Sequence, residues 1–189
     1  MGDIEFRNEE LTRAFVCILF SNEVVKEIAR VQKLLGNWKF TGKMTDLENL
    51  HLTLKFLGEI ESKKMAETKK RLRKIIFSSF QTHLERIGIF HNLGNPRIIW
   101  MKATGKQIFE LQRKIDDALA EVFPPEKRFM SHLTISRIKY VKDKKVFEEH
   151  VKNIHIRKIS SLIDKFFLMK STLLDSGPVY EIVEEYSLI

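Results

Sequence analysis

The sequence has one cysteine, Cys17. One thiol forms no internal disulfide and cannot build a zinc ribbon or finger, and its scarcity fits a reducing, cytoplasmic compartment. No apolar run approaches the ~18 residues that argue for a membrane span. The opening MGDIEFRNEELTRAF carries acidic residues ahead of its first apolar stretch, so it is not expected to be a secretory signal. No stretch is rich in Gly, Ser or Pro, and none is of low complexity, so nothing marks a linker. What is present is core-forming: 43% hydrophobic and 31% charged residues in 189. That composition excludes low-hydrophobicity disorder and suits one compact domain over 1–189, or two small lobes sharing a core.

Acidic residues are also the minority. Lys and Arg number 33 against 25 Asp and Glu, a net charge of +8. A basic surface favours polyanionic partners: nucleic acid, anionic lipid or phosphorylated metabolites. Solubility alone accounts for the same charge in many small proteins.

The apolar pattern alternates between the two common periods. Residues 13–20, RAFVCILF, read as a buried strand. Val24, Val25, Ile28, Val31, Leu34 and Leu35 repeat at helical spacing until Gly36, and a polar loop with Gly42 follows. A strand is predicted over 50–57, a helix over 61–77, strands near 83–90 and 97–103 around HNLGNP, and a helix over 105–122. MSHLTISRIKYV reads as a strand and KDKKVFEEHVKN as a short helix. Two final strands, near 163–174 and 179–187, are split by Ser176-Gly177-Pro178. Adjacent strands joined by tight turns point to an α+β fold with mostly antiparallel pairing.

The most informative feature is a repeat. His51-Leu52-Thr53-Leu54 returns as His132-Leu133-Thr134-Ile135. One H-x-T is expected by chance roughly 0.3 times at this content of His and Thr. Two copies, each inside a predicted strand and each followed by an aliphatic residue, suggest two similar halves. On a strand, residues i and i+2 share a face. Each copy therefore turns a His and a Thr one way and two aliphatic residues the other. If the halves face each other, two imidazoles and two hydroxyls converge. That set suits metal-free phosphoryl chemistry: one imidazole takes a proton, one imidazolium gives one, and hydroxyls and an arginine hold the phosphate oxygens. Each copy offers only one metal ligand, and no clustered carboxylates accompany it.

NLHLTLKFLGE and RFMSHLTISRIK resemble the two signature stretches of the 2H phosphoesterase superfamily. RAFVCILF, GIFHNLGNPRIIWM and FFLMKSTLLDSGPVYEIV extend the likeness over nearly all of 13–187. They resemble in particular the RNA 2′,3′-cyclic phosphodiesterase branch, also called 2′-5′ RNA ligase. The resemblance implies a bilobal α+β fold: two mostly antiparallel sheets related by a pseudo-two-fold axis, flanking a central cleft, with helices outside. It implies hydrolysis of an RNA terminal 2′,3′-cyclic phosphate to a 2′-phosphate, with 2′-5′ joining in some members. It further implies no metal or nucleotide cofactor, RNA ends as the partner, no membrane, and a cytoplasmic monomer. By the same resemblance His51 is the proton donor to the leaving 3′ oxygen and His132 the base that activates water. The residues alone leave open which His does which. Thr53, Thr134 and Arg137 match phosphate-binding positions. Arg137 lies five residues after His132, the opposite face of a regular strand, so reaching the cleft needs a bulge or a strand end. Ser131 stands where the family commonly has proline, and about a dozen residues precede the first strand.

Phe129, just before the second motif, is a candidate to stack a terminal base, with core packing as the alternative. The basic run 63–75 reads as a solvated helix face or a track for RNA phosphates. Trp38 and Trp100 read as core or rim, and His83, His91, His150 and His155 as surface or structural. Cys17 reads as a buried apolar residue. Two other functions fit the same fold: a non-catalytic RNA or nucleotide binder, and a phosphodiesterase acting on a small cyclic nucleotide.

Overall fold

The computed structural model describes residues 11–175 and 177–189. The acidic opening segment and Ser176 of the expected C-terminal turn lie outside them. The elements are β1 (Thr12–Ile18), α1 (Asn22–Gly36), β2 (Phe40–Met44), β3 (Leu52–Ile60), α2 (Ser62–Leu72), β4 (Phe80–Asn92), β5 (Asn95–Thr104), α3 (Lys106–Ala118), β6 (His132–Val141), α4 (Lys144–Asn153), β7 (Ser160–Ile163), β8 (Lys165–Leu174) and β9 (Gly177–Ser187). Every strand pair is antiparallel. The fold is α+β, as the element pattern suggested.

The strands run in the order β7-β4-β5-β6-β3-β1-β8-β9, with β2 added on β6. The order is a mirror about the β6–β3 seam. β1-α1-β3-α2 on one side corresponds to β5-α3-β6-α4 on the other, which is the expected pseudo-two-fold repeat. The two sheets are continuous, but only through one registered pair, Leu52 and Leu133. Beyond it the strands part. β3 stays with β1, while β2 takes the edge of β6 that β3 abandons, pairing Met44 with Ser136 and Lys43 with Arg137. The parting opens the cleft.

Helices cover one face of the sheet. Ile28, Val31 and Leu35 of α1, and Ile108, Leu111 and Ile115 of α3, are fully buried at helical spacing, each giving its helix one apolar stripe. The stripes cross the seam: α1 packs beneath β6 and α3 beneath β3. Each half thus buries its helix under the other half's motif strand, and the two lobes share one core. A smaller apolar cluster of Phe15, Cys17 and Met169 lies on the other face of the first lobe.

Three sequence expectations shift. The helix expected to 77 stops at Leu72, because the next segment pairs with the chain end: Ser79 N–H donates to Ile189 O, and Ile189 N–H to Phe77 O. The loop around Gly42 is strand β2, and Ser160–Ile163 forms an edge strand on β4. Among the described residues no helix is long and apolar enough to cross a membrane.

Candidate active site

In both motif strands the His and Thr turn toward the cleft while the aliphatic residues between them are buried. His51, Thr53, His132, Thr134 and Arg137 line one cavity of about 490 Å³. The imidazoles are held alike. His51 Nδ1 lies 2.8 Å from Asn49 O, and His132 Nδ1 lies 2.9 Å from Met130 O, in each case the carbonyl two residues back. A carbonyl only accepts, so Nδ1 carries a proton in both rings and Nε2 is the atom left for chemistry. Aromatic rings steady both: Phe15 at 4.8 Å and Tyr180 edge-on at 5.1 Å from His51, and Phe90 edge-on at 5.1 Å from His132.

Arg137 reaches the cleft by the bulge its parity demands. Along β5 and β6, Ile99 pairs with Ser136 and Trp100 with Thr134, so Ile135 is an extra residue. The bulge sends Ile135 and Ser136 both into the core and returns Arg137 to the face of His132. Gln32 of α1 anchors it, its amide donating to Ile135 O (2.9 Å) and Thr45 O (2.8 Å). The first motif bulges at the same place: Val16 pairs with Lys55 and Cys17 with Thr53, leaving Leu54 extra. Lys55 is accordingly 3% exposed on the core side, and Phe56 stands on the cleft face, 68% exposed. Phe56 is thus the first-lobe counterpart of Arg137.

The electrostatics are uneven. Burial holds the His51 imidazole below its ordinary pKa against the opposing pull of the Asn49 carbonyl, and the positive charges of Arg137 and His132 lower it further. Arg13 and Lys43 add cations to the cavity wall, with Asp46 beside Lys43. Tyr180, held as the neutral phenol by burial, closes the first-lobe side. Asn49 acts twice: its carbonyl orients His51, and its side-chain amide donates to Pro178 O (3.1 Å) at the start of β9.

Phe56, Tyr180 and Asn49 were not singled out from sequence. Phe56 had a signal, the shared offset of five from each motif His. Tyr180 had none, since it arrives from a hairpin far along the chain. Phe129 is not on the cavity wall. Its ring packs edge-on against Phe109 of α3 at 5.3 Å, beside the main core and away from the two histidines' cavity. The basic run is a solvated face of α2: Arg71 binds Glu67 and Glu121, Arg73 binds Glu184, and α2 packs against α3, in the helical layer. His91 pairs with Glu148, His83 lies against Thr104, and His150 stacks on Trp38 at 3.6 Å, none of them on the cavity wall. Cys17 is fully buried, and burial pushes its thiol far up.

The chain matches a family model described as LigT like phosphoesterase twice in tandem, over residues 18–100 and 101–180. It is 32% identical over 177 residues to an RNA 2′,3′-cyclic phosphodiesterase of Methanocaldococcus jannaschii, covering 92% of this chain and 99% of that one. It is 30% identical over 177 residues to a protein of the same name from Thermotoga maritima, covering 92% and 94%. Among solved structures it superposes on TT0787 of Thermus thermophilus with a TM-score of 0.81 at 23% identity, covering 93% and 97% of the two chains. Escherichia coli LigT in apo form gives 0.75 at 20% identity, covering 95% and 98%.

Proposed function

Because the chain belongs to the LigT like phosphoesterase family, we propose that it hydrolyses the terminal 2′,3′-cyclic phosphate of RNA to a 2′-phosphate without a metal. The observation carrying the proposal is the matched pair of imidazoles on one cavity wall, each with its Nδ1 committed to the carbonyl two residues back. Water attacks phosphorus and gives its proton to His132 Nε2. The bond to the 3′ oxygen breaks, and that oxygen takes a proton from His51 Nε2. Thr53 and Thr134 hydroxyls donate to the non-bridging oxygens, and the Arg137 guanidinium balances their charge. A 5′-hydroxyl attacking in place of water would form a 2′-5′ linkage by the same transfers. Phe56 offers the terminal base an exposed aromatic face. Among the described residues, no group of three or more His, Cys, Asp or Glu side chains is arranged to hold a metal ion.

The test is mass analysis of an oligonucleotide ending in a 2′,3′-cyclic phosphate, incubated with the protein in EDTA. The expected product gains one water and resists a 3′-specific phosphatase, because its phosphate is on the 2′ oxygen. An unchanged oligonucleotide, or turnover only after a divalent ion is restored, would overturn the proposal.

The pH profile of kcat/KM is expected to be bell-shaped, because one imidazole must be protonated and the other neutral. Burial makes the imidazolium of His51 scarcer in the free protein, so one of the two limbs should lie below the ordinary imidazole value of about 6.5. A bound phosphate anion favours the imidazolium, so that limb should move to higher pH in kcat. A profile with both limbs above the ordinary range would remove His51 from the proton transfers.

A further inference from the structure

The pseudo-two-fold axis relates the lobes in backbone but not in side chains. On the cleft face of the first lobe, Thr53 is followed across the sheet by Cys17 and Phe167, and Phe56 by Phe15 and Met169. That surface is apolar except for Arg13 at the outer end of β1, and it is closed by Tyr180. On the second lobe, Thr134 is followed by Trp100 and Gly88, and Arg137 by Ile98 and Phe90. A third row begins at the catalytic pair itself: His132 is followed by Lys102 on β5 and by Arg86 on β4. Cross-strand partners share a face, and neighbouring strands stand about 4.8 Å apart. Two cations therefore continue outward from His132, about one and two strand spacings away.

Their neighbours keep them on that face. The Arg86 guanidinium lies 5.7 Å from the centre of the Trp100 ring. The indole rests over Gly88, where an added Cβ would meet it at 2.3 Å, so no other residue there leaves room for the platform. Phe90 touches both Trp100 and His132. Glu85, the bulge residue of β4, holds Lys102 at 3.2 Å and is the only acidic group paired with the row among the described residues.

We propose that Lys102 and Arg86 bind the first phosphodiesters on the 5′ side of the reacting RNA terminus, so that the single strand leaves the cleft over the second lobe. This rests on the function proposed above and adds a direction: the apolar first lobe faces the terminal nucleoside, and the cationic row faces the backbone. A mononucleotide lacks those phosphodiesters and does not use the row.

The experiment compares a nucleoside 2′,3′-cyclic monophosphate with an oligoribonucleotide carrying the same end, for the wild-type protein and for Arg86→Gln/Lys102→Gln. The double variant should lose at least tenfold in kcat/KM on the oligomer, through KM, and at most twofold on the mononucleotide. Its salt slope on the oligomer should flatten by about 1.4, the share of two single-strand phosphate contacts. Glu85→Gln frees Lys102 and should lower KM for the oligomer only. In parallel, fluorescence anisotropy of a labelled oligomer ending in a 2′-phosphate reads binding without turnover and should weaken at least tenfold in the double variant. Equal losses on both substrates, or unchanged oligomer binding, would overturn the row. If the wild type turned over neither substrate, the proposed function would fail, and the anisotropy comparison would still decide the row.

Discussion

His51→Ala and His132→Ala are each expected to cut kcat by about 10²- to 10⁴-fold, the range for loss of a positioned general acid or base. Both variants should keep the wild-type melting profile, since both rings lie half-buried on a cleft wall rather than in the shared core. The double variant should be little slower than the worse single one, because the two proton transfers serve one displacement and the histidines act as a unit. The roles can then be told apart by the leaving group. A substrate with sulfur at the 3′ bridging position expels a thiolate that needs no proton. On it His51→Ala should recover most of its rate, and His132→Ala should recover none. Recovery by His132→Ala instead would exchange the two roles. Equal rates for both variants and the wild type on the oxygen substrate would remove the histidines from the chemistry.

The repeat made this pair legible because strand parity is a local rule: two residues on, same face. The same rule misled for everything past the bulges. Strict alternation from His51 puts Lys55 in the cleft and Phe56 in the core, and alternation from His132 puts Arg137 behind the sheet. The extra residues, Leu54 and Ile135, reverse all three. A bulge is decided by what the strand pairs with, which no single strand displays. The β2 segment was obscured for a similar reason. FTGKM has one apolar residue at either end and a glycine where a strand is weakened. Gly42 is there because β6 comes too close for a side chain: an added Cβ would fall 2.4 Å from Arg137 O. The helical stripes were plain in the sequence, but the exchange of α1 and α3 across the seam was not, because periodicity fixes which face is buried and not against what.

Lys55 carries the largest expected effect on stability. The bulge sends its ammonium into the helical side of the sheet, where it binds the carboxylate of Asp116 on α3 and donates to Pro124 O at 2.8 Å. Asp116 Oδ2 in turn accepts from Glu126 N–H at 2.9 Å. A residue of the first motif strand thus holds the second half's helix and the turn that leads into the second motif. Ser136, in the equivalent place after the other bulge, carries no charge, and its hydroxyl donates to Lys43 O of β2. Lys55→Ala strips the partner from a largely buried carboxylate and a carbonyl, and should cost about 3–5 kcal/mol in denaturant unfolding. Asp116→Ala should cost a similar amount by stranding the ammonium. Lys55→Met/Asp116→Leu removes both charges and keeps apolar volume, so it should recover most of the loss, and the double-mutant cycle should return a large coupling. A loss below about 1 kcal/mol for Lys55→Ala would match a solvated surface pair. The ammonium would then be reaching water, and the bulge at Leu54 would not be the feature that inverts the first motif strand and delivers Phe56 to the cleft.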